Sequence, residues 1–191
     1  MTPEQQHVFE ELLTKEKSIS TSWVDYWHQF SNAQTWQFWF NLALLLLPLV
    51  VLWFALDRKK ALQIGFYGFS IHMMATYIHM FGERNYIWAF PYKIVPYLPT
   101  SITLDASFNP IVLMLVYQWT LNHKKNYYLY SAIMCALFSF VFKPLLSVFD
   151  LFHLYGRMNY FYLFLLYFLV TILAKLITDL FVSFQKNSHH A

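Results

Sequence analysis

From Gln34 to Phe184 the chain is written in blocks of about twenty apolar residues, separated by short polar, basic or proline-bearing turns. That length carries a helix across a hydrocarbon layer about 30 Å thick. Lipid offers the backbone no hydrogen bonds, so such blocks must satisfy their own N–H and C=O groups, and helices do so locally. The blocks lie at about 34–56, 61–83, 101–121, 127–148 and 160–184. They predict an all-α integral membrane bundle of about five transmembrane helices, preceded by an amphipathic interfacial arm at 1–33 and followed by a polar tail at 185–191. Charged residues make up 12% of the chain, about half the share of a soluble domain.

Within the arm, Val8, Phe9, Leu12 and Leu13 form one apolar stripe and Trp23, Trp27 and Phe30 another. A break at Ser18–Ser22 is expected between two short helices, with Ser22 and Asp25 spaced like a capping box. Tryptophans at such a place suit a membrane interface. The opening residues are polar and acidic, unlike the basic start and apolar core of a signal peptide. Cys135 is the single cysteine, which excludes intrachain disulfides and thiolate metal sites and leaves a small buried hydrophobe.

The block Ala61 to Glu83 carries the chemistry. At about 100° per residue, Gly65, Gly68, His72, Ala75, Thr76, His79 and Glu83 share one stripe, while bulky apolar residues cover the rest. Imidazole and carboxylate are costly in hydrocarbon, so this stripe must face other helices or a wet cavity. The two glycines would let another backbone approach. Asp105 opens the third block, where a helix N-cap is the plainest account of it. Ser139, Lys143, Ser147 and Asp150 make a second polar stripe on the fourth block, which Pro144 should bend. A buried ammonium needs a counter-charge, so Lys143 is expected to pair with Glu83, Asp105 or Asp150. The candidate ligand or proton-linked residues are therefore His72, His79, Glu83, Asp105, Lys143 and Asp150. Over them the connection 84–109, with Tyr86, Trp88, Phe90, Tyr92 and Tyr97, is read either as an aromatic cap or as an interfacial belt. Lys175 and Asp179, spaced i and i+4, should pair locally.

No HExxH, GxSxG, GxGxxG or phosphate-binding loop occurs. His72 and His79 lack the opposed histidine that a haem would need, so no cofactor or metal is expected and nothing points to an enzyme. The basic residues sit in short clusters beside apolar blocks, a pattern for a membrane surface and not for nucleic acid. The turns at 57–60 and 122–126 and the tail carry six of them, against five spread over the other side. The positive-inside rule then puts the C-terminus in the cytoplasm and the arm outside.

The run Gly82-Glu83-Arg84-Asn85-Tyr86-Ile87-Trp88-Ala89-Phe90-Pro91-Tyr92-Lys93-Ile94-Val95-Pro96, with Leu104-Asp105 and Pro110 to Gln118, resembles an uncharacterised family of small multi-pass membrane proteins of spore-forming Firmicutes, bacilli and clostridia. The similarity of layout extends from about Trp36 to Leu180. In that family an acidic residue often precedes the fourth-helix proline, where this chain has Lys143. The resemblance implies a bacterial plasma membrane and supplies no activity, substrate or cofactor. The expectation is thus a membrane protein that binds a small polar ligand or a proton at an outward-facing polar cluster. The alternative is a structural protein that docks a membrane partner or a second copy of itself.

Overall fold

The computed structural model describes residues 1–188. Its helices are α1 (Pro3–Phe30), α2 (Trp36–Ala55), α3 (Ala61–Arg84), α4 (Asn109–Asn122), α5 (Tyr127–Leu137), α6 (Lys143–Val148) and α7 (Tyr160–Ser188). Three stretches, Trp36–Ala55, Tyr127–Val148 and Tyr160–Asn187, are long and apolar enough to cross a membrane. Apolar side chains on their outer faces are exposed, as at Leu47, Phe54, Val141 and Leu169, while His79, Asp105, Asn109, Lys143 and Thr171 lie inside. A greasy exterior around a partly polar interior is the pattern that lipid favours and water does not.

The arm is one helix, not two. Thr2 caps it by accepting from the Gln5 N–H at 3.2 Å, and Pro3 sits at its first position. At the expected break, the hydroxyls of Thr21 and Ser22 donate to the carbonyls of Lys17 and Ser18, four residues back, at 3.0 Å. Those hydroxyls are thereby satisfied inside the helix, and Ser22 caps nothing. The expected polar tail is likewise helical as far as Ser188; residues 189–191 of it lie outside the described residues.

Two helical irregularities precede prolines. A π-helical turn at Thr103–Phe108 leads into Asn109-Pro110, and a second at Phe138–Phe142 leads into Lys143-Pro144. In each, the residue before proline donates its N–H to the carbonyl five residues back, Asn109 to Leu104 and Lys143 to Phe138. Proline cannot donate, and its ring crowds the carbonyl four residues earlier, so a wider turn relieves both problems. The bend expected at Pro144 thus takes the form of a π turn joining α5 to α6.

The segment 85–102 closes one end of the bundle. Trp88–Ala89 forms strand β1, which pairs antiparallel with strand β2, His153–Leu154, in the register Trp88↔Leu154 and Ala89↔His153. The ring of Trp88 lies against Gly82, where an added Cβ would fall 2.0 Å from it. Gly68 meets Met114 in the same way. Gly65 has open space around it, so the close approach expected there does not occur.

Candidate functional site: a buried polar file behind an interfacial groove

Asp105 lies one turn inside the helix that continues as α4 and is 1% exposed. It is not an N-cap; it is a hub. Its backbone carbonyl accepts from His72 Nδ1 at 2.8 Å, its Oδ1 is in close contact with His79 Nδ1, and its Oδ2 accepts from Thr100 Oγ1. Helical spacing sets this up, because His72 and His79 are seven residues apart and stand on one face of α3 two turns from each other. A carbonyl and a carboxylate only accept, so the Nδ1 atom of each ring donates.

Glu83, one further turn along α3, does not reach Lys143. Its partner is Lys93 from the 85–102 segment, with Nζ 2.6 Å from Oε1 and both side chains almost buried. Lys93 is held from several sides. Its carbonyl accepts from Trp27 Nε1 at 2.9 Å and from Ser31 Oγ at 3.1 Å, and its ammonium lies 4.7 Å from the Trp23 ring centroid and donates to the Leu98 carbonyl. The last two turns of the arm therefore dock on Lys93, and Trp27 also meets Phe38 of α2 with ring centroids 6.4 Å apart.

Lys143 corrects the sequence expectation. All three proposed acids are committed or distant: Glu83 to Lys93, Asp105 to His79 and Thr100, while Asp150 is largely exposed beside His153. The ammonium of Lys143 instead lies 4.0 Å from the ring centroid of Phe152 and 4.6 Å from that of Phe90, with no hydrogen-bond partner among the described residues. Two ring faces stabilise a desolvated cation by about 2 kcal/mol or more. Asp105 is the acid whose field bears on it.

The resulting file runs Lys93, Glu83, His79, Asp105, Lys143, with acids set between bases. Beside its middle, His79, Asn109 and Tyr167 border a cavity of about 20 Å³, room for one water molecule. At its outer end, Glu83 and Lys93 form the floor of a groove of about 620 Å³ walled by Trp23 and Ile19 of the arm and by Tyr97 and Leu98. Arg84 and Glu16, in close contact, bridge the rim from α3 to the arm.

The aromatic residues divide. Trp88 and Phe90 are buried and roof His79 with edge contacts at 5.7 and 5.6 Å. Tyr92 is half-buried, and its carbonyl accepts from Asn41 Nδ2. Tyr86 stacks on Tyr155 at 4.3 Å and, like Tyr97, is exposed. Lys175 and Asp179 form the expected local pair. Of the six candidate residues the structure joins His72, His79 and Asp105 and leaves Asp150 apart, and sequence reasoning missed Lys93, Thr100, Asn109 and Tyr167. The one signal for Lys93 was a lone basic residue between Pro91 and Pro96 in an otherwise aromatic and apolar run. Among the described residues, no group of three or more His, Cys, Asp or Glu is arranged to hold a metal. No family model, curated protein or solved structure matches the chain.

Proposed function

We propose that this is a five-span protein of a bacterial plasma membrane that binds a small zwitterion in the groove under its arm, with proton occupancy of the His79–Asp105 pair linked to binding. The arm and groove face outward and the basic turns face the cytoplasm, in keeping with the distribution of Lys and Arg. The α3 and α4 blocks are the two further spans. They are too polar to count on composition alone, yet they occupy the interior, with Tyr67, Ile71, Leu113 and Tyr117 buried between neighbours. The 24 residues of α3 span about 36 Å at 1.5 Å per residue.

One observation carries the ligand class. The Lys93–Glu83 pair forms the floor of a roomy groove, and the charges of the lining residues, two acidic and two basic, balance. A carboxylate and an ammonium on one small molecule would replace each partner of the pair by a ligand group of the same sign, so no charge is left bare. A purely anionic or cationic ligand would strand one of them. His79 lies one turn below Glu83, so parting the Lys93–Glu83 pair rearranges the charges nearest His79 although their sum is unchanged, and that rearrangement is the link to the proton on the His79–Asp105 pair.

The test is thermal unfolding of purified protein in detergent against a panel of amino acids, betaines, small carboxylates and alkylamines. A zwitterion at about 100 times its Kd should stabilise wild type by about 2.7 kcal/mol. That gain should vanish in Glu83→Gln/Lys93→Met, and proton uptake on binding, followed with an indicator dye, should vanish in Asp105→Asn. No response to any member, or an equal response in the double variant, overturns the reading.

A second reading rests on the arm. Residues 3–22 are exposed throughout, and the stripe Val8, Phe9, Leu12, Leu13 is flanked by four glutamates against two lysines. An acidic amphipathic helix suits a basic protein partner better than an anionic lipid surface. Photo-crosslinking from position 9 that captures lipid alone would remove this alternative.

A further inference from the structure

We infer that the opposite end of the bundle carries a seat for one anionic phospholipid, with an acyl chain in the groove between α4 and α5 and the phosphate against the basic turns. The groove has a volume of about 350 Å³ and apolar walls, formed by Val112, Val116, Ile133 and Met134, with Trp119 and Tyr130 at the end nearest the turn. Those two rings pack edge to face at 4.7 Å, and Trp119 also contacts His123 at 5.1 Å. From Val112 to Trp119 the groove runs about 10 Å along the helix axis, which covers about two-thirds of one hydrocarbon leaflet. Amphipathic rings at the mouth of an apolar furrow mark the level where acyl chain gives way to headgroup.

Charge supplies the second, independent observation. Lys60 Nζ bonds Asn122 Oδ1, which brings the turn 57–60 against the turn 122–126. Together these turns hold Arg58, Lys59, Lys60, Lys124 and Lys125 against the single carboxylate of Asp57. That carboxylate is turned onto the Lys59 N–H and the Asn122 amide, away from neutralising the lysines. Lys124 has φ +51°, a left-handed position at which Gly or Asn costs least, and its side chain is exposed. Lysines at the mouth of an apolar interhelical furrow present to a lipid the two features that an anionic headgroup and its chain require. A zwitterionic lipid would satisfy the furrow and leave the cations without a partner.

Native mass spectrometry of the full chain, released from nanodiscs of equal phosphatidylglycerol and phosphatidylcholine, tests the assignment. Wild type should retain phosphatidylglycerol in excess of the bulk ratio, with one lipid outlasting the others during delipidation. Lys124→Gln/Lys125→Gln should lower that retention about 30-fold, at the usual gain per cation near an anionic surface. Val116→Trp, which fills the furrow, should lower it as well, whereas Val141→Trp on a lipid-exposed face of the second π turn should not. Retention in the bulk ratio, or at wild-type level in either the charge or the furrow variant, overturns the seat. A dimer abolished by Val116→Trp would assign the furrow to a second copy and overturn it equally.

Discussion

The two ends of the bundle fill comparable interiors with different chemistry. Near the basic turns the interior is built of phenols. Tyr67 and Tyr117 stack at 4.3 Å, the Tyr127 hydroxyl donates to the Thr171 carbonyl at 2.8 Å and receives Tyr67 at 2.7 Å, and Gln63 donates to Tyr117 at 2.8 Å. These four side chains are neutral and partnered, and the charged Lys175–Asp179 pair lies beside them, with the ammonium 5.5 Å from the Tyr127 ring centroid. Under the arm, the same helices enclose two lysines, two carboxylates and two histidines within a few turns. The phenol end shows that this fold can close a polar interior without charge. Packing alone therefore does not demand the charged end, and a buried pair is often no more stabilising than apolar residues of its size.

The comparison breaks most sharply at the hub. Asp105→Asn should cost about 3–5 kcal/mol of unfolding free energy, because it breaks the buried contact with His79 and weakens the bond from Thr100. Combining it with His79→Leu should recover part of that loss, and a strictly additive double variant would sink the idea of a coupled unit. At the other end Tyr127→Phe removes one donor and one acceptor and should cost about 2–3 kcal/mol, measured by the same denaturant titration. A larger loss there than at Asp105 would reverse the contrast between the ends.

Smaller effects sharpen it. Gly82→Ala should destabilise by about 1–3 kcal/mol, since the Trp88 ring has to move, while Gly65→Ala in open space should be neutral or gain up to about 1 kcal/mol from helix propensity. Glu83→Gln/Lys93→Met should leave stability within about 1 kcal/mol of wild type, although each single change costs more. If the double variant loses as much as the sum, the pair is a structural lock and the ligand reading fails. Arg84→Ala should shift unfolding by less than about 1 kcal/mol, because its bond to Glu16 is exposed.

What the sequence disclosed follows the range of the physics involved. The α3 stripe is legible because helical periodicity is local, and that is why His72 and His79 could be placed on one face before their shared partner was known. The spacing of apolar blocks likewise marks the ends of the helices to within a few residues. Lys93 is not legible as the partner of Glu83, because a loop with no period brings it there and the arm fixes it through Trp27 and Ser31. The surroundings of Lys143 are illegible for the same reason. Charge alone points to a carboxylate, while the tertiary fold puts the rings of Phe90 and Phe152 beside the ammonium. The continuity of the arm is hidden because serine and threonine signal a helix start in sequence, whereas here their hydroxyls bond backward along the helix.

The pairing of Trp88 with Leu154 also sets a timetable. The two partners are 66 residues apart, so at about 5–20 residues per second the second emerges roughly 3–13 s after the first. During that interval His79 and Asp105 have been synthesised but the β1–β2 ladder over them cannot yet form. Until then the polar chamber lacks the ladder that closes it.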